Sequence, residues 1–149
     1  MNDMNIYNKI KIRYVLSSVL ILLFGGLIYI VFRRETYLHT ILPQTVNHTL
    51  EQLRKATESN CVISFMKYYL VDYLWGLALS LSLFSAVDFR KKSSVAAVCA
   101  VSAIWGMLFE LSQLFSLFKG TFDFADILMY IFAALTAALI NNFSLKRMV

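Results

Sequence analysis

Between Glu110 and Tyr130 the chain reads ELSQLFSLFKGTFDFADILMY, setting three carboxylates (Glu110, Asp123, Asp126) and an amide (Gln113) among apolar runs. A further acid, Asp72, sits at the start of another apolar run. Crowded carboxylates raise one another's proton affinity or recruit a cation that neutralises them. They could therefore hold a proton, a metal ion or the polar head of a ligand. A charge at bilayer depth costs about 2.5–3.5 kcal/mol on insertion scales, so a chain that keeps several has a use for them. Asp123 has a second explanation, because an anion in the first turn of a helix is stabilised by the helix dipole. For Asp72, Glu110 and Asp126 the alternative is a tie through Arg33 or Arg34 and neighbouring amides that holds the bundle together.

Other chemistry is thinly represented. His39 and His48 stand nine apart in a polar connection, without metal-ligand spacing. No GxSxG, HExxH or glycine-rich phosphate loop occurs. Cys61 and Cys99 form no CxxC pair.

The elements that must carry the acids are membrane helices. A length of 149 residues suits one domain. Hydrophobic residues make up 59% and charged residues 15%, against about 25% charged in an ordinary soluble domain. The net charge of +5 comes from Lys and Arg that fall mostly between the apolar runs, where topology and lipid headgroups account for them. No basic module of a nucleic-acid-binding type is present, so nucleic acid is not an expected partner.

Four apolar runs each approach the length of about 20 residues that a spanning helix needs. They predict spans over 14–32, 68–87, 95–115 and 122–143. The first ends in Phe32-Arg33-Arg34-Glu35 rather than in small residues, which reads as a retained helix and not a cleaved signal. In the connection over 33–66, Pro43 suits a helix start, and Leu42, Val46, Leu50 and Leu53 recur at helical spacing. That pattern predicts an amphipathic helix on the membrane surface or over the bundle, with a solvated loop as the alternative. Phe65, Tyr68, Tyr69, Tyr73 and Trp75 form an interfacial aromatic belt around Asp72. Gly120 and Thr121 supply a break and a helix cap before the last span.

Alternation of four spans brings the end of the first, the start of the second, the end of the third and the start of the fourth to one face. Asp72, Glu110, Asp123 and Asp126 all lie at those ends, with Arg33 and Arg34 at the same level. Helical phase agrees: Asp72–Gly76–Ser80, Ala103–Gly106–Glu110–Gln113 and Asp126–Tyr130–Ala133–Ala137–Asn141 each put polar groups on a stripe of small residues. Such stripes let membrane helices approach closely. Lys and Arg number eight on the side of the termini and six on the acid side, which favours cytoplasmic termini.

Glu110-Leu-Ser-Gln113, followed by Phe122-Asp123-Phe-Ala-Asp126-Ile127, resembles the E-x-x-Q … F-D-x-x-D-(I/L) signature of VanZ-like integral membrane proteins. Asp72-Tyr-Leu-Trp75 is similar to the D-x-L-W element of small, uncharacterised members of that group. The resemblance covers roughly residues 68–140. No histidine opens the second span, and Phe118-Lys119-Gly120 stands where better-known members carry P-G-R. The resemblance implies a bacterial envelope protein of four to five helices, associated with envelope lipids or glycopeptide tolerance.

The expectation is a single all-α, polytopic membrane domain: a four-helix transmembrane bundle with an amphipathic surface helix in the first loop. The expected ligand-binding set is Asp72, Trp75, Glu110, Gln113, Asp123, Asp126 and Tyr130, with Arg33 and Arg34 on a phosphate. Glu110 and Asp126 are the metal candidates, for an ion such as Mg²⁺. Membrane lipids are the expected partners. An ion-coupled carrier, which with four helices would need to oligomerise, and a structural subunit without ligand are the alternatives.

Overall fold

The computed structural model describes residues 3–32, 41–57, 60–117 and 122–146, and these contain helices and no strand. The helices are α1 (Asp3–Phe32), α2 (Gln44–Thr57), α3 (Cys61–Phe65), α4 (Val71–Ala86), α5 (Lys92–Leu114) and α6 (Phe124–Lys146). A π-helical turn, Met66–Leu70, joins α3 to α4, so that Val62–Ala86 runs as one rod. Four rods (Met4–Phe32, Val62–Ala86, Lys92–Leu114 and Phe124–Lys146) are long and apolar enough to cross a membrane.

The helix boundaries depart from the expected spans in instructive ways. α1 begins at Asp3 rather than at residue 14. Its 30 residues make a rod of about 45 Å, longer than the roughly 30 Å hydrocarbon core. The extra turns persist because Ile6, Tyr7 and Ile10 pack on the core cluster around Phe89. The second rod starts before residue 68, since α3 and the π turn continue α4 backwards. The last begins at Phe124, not at 122, because Asp123 supplies the cap. Its Oδ1 accepts the Ala125 N–H at 2.9 Å. Gly120 and Thr121, expected as break and cap, lie outside the described residues, as do Arg33 and Arg34.

α4 and α6 form the centre, with α1 packed on α4 and α5 packed on both. Small residues set the spacing. A Cβ on Gly25 would stand 3.1 Å from the Trp75 ring, which closes α1 onto α4. The Tyr130 ring lies between Gly76 of α4 and Gly106 of α5, where no larger residue leaves room for it. Ser80 and Ser102, both fully buried, share a 2.8 Å hydrogen bond across α4 and α5. The opposite faces carry Leu108, Phe115, Leu128, Ile131 and Phe132, all exposed, as suits contact with hydrocarbon.

The end of the bundle away from the acids is closed by an aromatic and polar lock. Tyr7 stacks on Phe89 at 4.8 Å between ring centroids, and Tyr14 meets the same ring edge-on at 5.6 Å. Buried Asn141 accepts the Tyr14 hydroxyl at 3.1 Å and donates to the Phe89 carbonyl at 3.0 Å. In the loop, the Arg90 guanidinium beside Asp88 holds that carboxyl below the usual carboxylate range. Asn141→Leu strands two buried partners at once, so it should destabilise the bundle by about 1–3 kcal/mol. Thermal unfolding in detergent reads this directly, and an unchanged midpoint would show that the lock contributes nothing.

Candidate functional site: an acid-lined cleft at one end of the bundle

Rod lengths and antiparallel packing bring Asp72 at the start of α4, Glu110 and Gln113 near the end of α5, and Asp123 and Asp126 at the start of α6 to one cleft. The cleft holds about 140 Å³ and includes Trp75 in its wall. Six of the expected ligand-binding residues therefore share one cavity.

Glu110 is the most enclosed of them, at 1% exposure. Its Oε2 accepts the Asp123 backbone N–H at 3.0 Å, and its Oε1 accepts from the Gln113 side-chain amide at 3.3 Å. The first bond ties the end of α5 to the start of α6. It satisfies a donor that the helix start would otherwise leave without an intrahelical partner. Asp123 in turn caps α6. Two of the four acids thus have an architectural task, while Asp72 and Asp126 stand partly exposed toward the cleft.

Tyr130 occupies a different position from the one expected for a ligand-facing group. It is buried at 3% exposure and lines the apolar side of the bundle rather than the cleft. Its ring is the wedge that holds α4, α5 and α6 at their spacing.

Four lining residues were not among those expected: Tyr29, Lys67, Tyr68 and Phe109. Lys67 matters most. Five residues of α-helix advance by about 500°, which would leave Lys67 and Asp72 roughly 140° apart. The π turn over Met66–Leu70 absorbs one residue and returns Lys67 to the face of Asp72. Its ammonium stands 4.9 Å from the centroid of the Tyr68 ring. Tyr29 and Trp75 pack at 5.4 Å and form the wall on the α1 side.

The chain matches no family model, no curated protein and no solved structure. What the cleft does must be read from its own chemistry.

Among the described residues no group of three or more His, Cys, Asp or Glu side chains is arranged to hold a metal ion. A divalent ion at Glu110 and Asp126 would have to take its remaining oxygens from water or from a bound phosphate. Mg²⁺ accepts such mixed shells, commonly with one or two carboxylates.

At the same end of the molecule, Arg54 of α2 reaches the end of α1. Its Nε donates to the Val31 carbonyl at 2.7 Å and its Nη2 to the Ile30 carbonyl at 2.9 Å. These are carbonyls that a helix end leaves without intrahelical donors. α2 has no buried residue, and Val46 and Leu53 of its apolar stripe are exposed.

Proposed function

We propose that this is a VanZ-like integral membrane protein of the bacterial cell envelope whose acid-lined cleft binds the polar head of an envelope lipid. Both termini face the cytoplasm in this reading, and the cleft opens at the extracytoplasmic surface. α2 lies along that surface with its apolar stripe in the headgroup region. The observation that carries the reading is the cleft itself: four carboxylates, an amide, a lysine and two tyrosines around one cavity at the end of a bundle of span-length helices. Polar groups in such a place have a bilayer headgroup as their nearest neighbour. Motif order along the chain supports the family assignment.

The test compares thermal stability of the purified protein in nanodiscs with and without a polyprenyl phosphate, a diacyl phospholipid and Mg²⁺. A ligand at a hundred times its Kd stabilises the folded state by about 2.7 kcal/mol. The wild type should gain stability with at least one lipid, and Glu110→Gln/Asp126→Asn should lose that gain. No gain with any of them would overturn the reading.

The bonds from Glu110 to the Asp123 N–H and from Asp123 to the Ala125 N–H favour one competing reading, in which the acids serve packing alone. It requires the double variant to be less stable than the wild type with every ligand response intact.

A further inference from the structure

A groove of about 410 Å³ runs down the bundle between α1, α4 and α5, left by the small side chains of Ser18, Ala78 and Ser82. Its rim residues Val19, Leu22 and Trp105 are exposed. In a bilayer hydrocarbon fills it, and its apolar walls select no head group. The polar hollow lies elsewhere, across Lys67 from the acids.

That hollow holds about 90 Å³ between Phe32 at the end of α1, Arg54 and Thr57 of α2, Ser64 of α3, and Lys67 and Tyr68 of the π turn. None of the described residues that line it is a carboxylate. It sits where one span-length rod ends and the next begins, at the level of the aromatic residues Phe65, Tyr68 and Tyr69. In a bilayer that is the level of the lipid phosphates.

The lining suits a phosphate group. Ser64, Lys67 and Tyr68 stand three and four residues apart, so they share one face of the rod. The Lys67 ammonium rests 4.9 Å from the Tyr68 ring centroid and forms no ion pair among the described residues. It carries three N–H donors, and the rotatable hydroxyls of Ser64 and Tyr68 add one each. Among the described residues no acceptor takes either hydroxyl. Arg54 is engaged by the Ile30 and Val31 carbonyls, so it closes the hollow as a wall and is not counted as a ligand. The turn that delivers Lys67 points the same way, since π turns are rare and concentrate at functional sites.

We propose that this hollow is a phosphate site. Lys67 and the hydroxyls of Ser64 and Tyr68 hold a phosphate group, either that of a phospholipid head or free phosphate. The site is separate from the acid-lined cleft and draws on none of its carboxylates.

Native mass spectrometry of the protein released from maltoside micelles tests the lipid source, with equimolar dioleoyl phosphatidylglycerol and dioleoylglycerol as competitors. The two share their chains and differ in the phosphate-bearing head. The phospholipid should be retained at least tenfold over the diacylglycerol. Lys67→Gln should lower that ratio severalfold, and Lys67→Arg should keep it. Lys92→Gln, exposed at the opposite end of the bundle, should leave it unchanged. Ser64→Leu fills the hollow but spares the ammonium, and should act as Lys67→Gln does. Thermal unfolding with and without inorganic phosphate tests the free source. A higher midpoint that Lys67→Gln removes, with the two lipids retained equally, would assign the site to free phosphate.

A ratio that falls in Lys67→Gln but not in Ser64→Leu would make Lys67 a surface charge and overturn the site. A ratio lost in Glu110→Gln/Asp126→Asn and kept in Lys67→Gln would overturn it in favour of the cleft. Equal retention of the lipids with no response to phosphate would overturn it for both sources, and would leave the reading of the cleft to its own test.

Discussion

Gly106→Ala should unfold at a markedly lower temperature than the wild type, although alanine is the better helix former. In an exposed helix the exchange gains up to about 1 kcal/mol. Here the added Cβ would stand 2.7 Å from Cβ and Cδ2 of Tyr130, closer than packed carbons come. The obstacle is the root of a buried ring on the central helix, not the end of a flexible chain. Overpacking of this kind costs about 1–3 kcal/mol, so the net effect is destabilising. Gly76→Ala should cost less, since its Cβ would meet Ala133 and Tyr130 at 3.0 Å. Gly26→Ala reverses the sign: nothing lies within 4 Å of its Cβ, and the gain in helix propensity should appear as a higher midpoint. The ordering of the three midpoints in detergent checks the account. Equal effects would mean that the Tyr130 wedge does not set the helix spacing.

The second large effect separates two properties of one residue. Glu110→Leu removes the acceptor of the Asp123 N–H and should cost about 1–3 kcal/mol, the penalty of a buried donor left unsatisfied. Glu110→Gln keeps an oxygen for that bond and removes the charge. It should retain much of the stability lost in Glu110→Leu while losing any response to a lipid or cation. Thermal unfolding with and without the lipids named above yields both quantities from the same samples. If the glutamine variant keeps the full ligand response, the charge of Glu110 has no part in binding.

Much of this arrangement was legible in the sequence, for reasons that can be traced to particular residues. The meeting of Asp72, Glu110, Asp123 and Asp126 follows from counting: each lies at an end of an apolar run, and alternation of runs fixes which ends coincide. The inward stripes were legible because polar and small residues share one helical phase. Gly76, Ser80, Gly106, Ala133, Ala137 and Asn141 are indeed buried. What escaped has physical causes. The extension of α1 was hidden because Lys9, Lys11 and Arg13 mask the apolar positions Ile6, Tyr7 and Ile10, which find a partner only when Phe89 folds back on them. The groove was hidden because it consists of missing volume at Ser18, Ala78 and Ser82, contributed by two helices distant in the chain. Lys67, one of the six Lys and Arg on the acid side, reads from the sequence only as a topological charge. A regular helix turns it away from Asp72, and no residue between 66 and 70 announces a widened turn. The role of Glu110 as a tie depends on a bond between residues thirteen apart, which spacing alone does not reveal, whereas the helix-start role of Asp123, two residues from its partner Ala125, is legible from its place at the opening of the last run.

The widened turn over Met66–Leu70 also makes this rod unequal in its tolerance of length change. Removing one residue there would heal the turn into ordinary helix and leave Lys67 and Asp72 four apart, still on a common face. Adding one would have no such refuge, and would swing Lys67 and all of α3 about 100° around the axis. Descendants of this chain should therefore shed a residue at this point more readily than acquire one. A gain there would change which side chains look into the cleft without altering a single one of its acids.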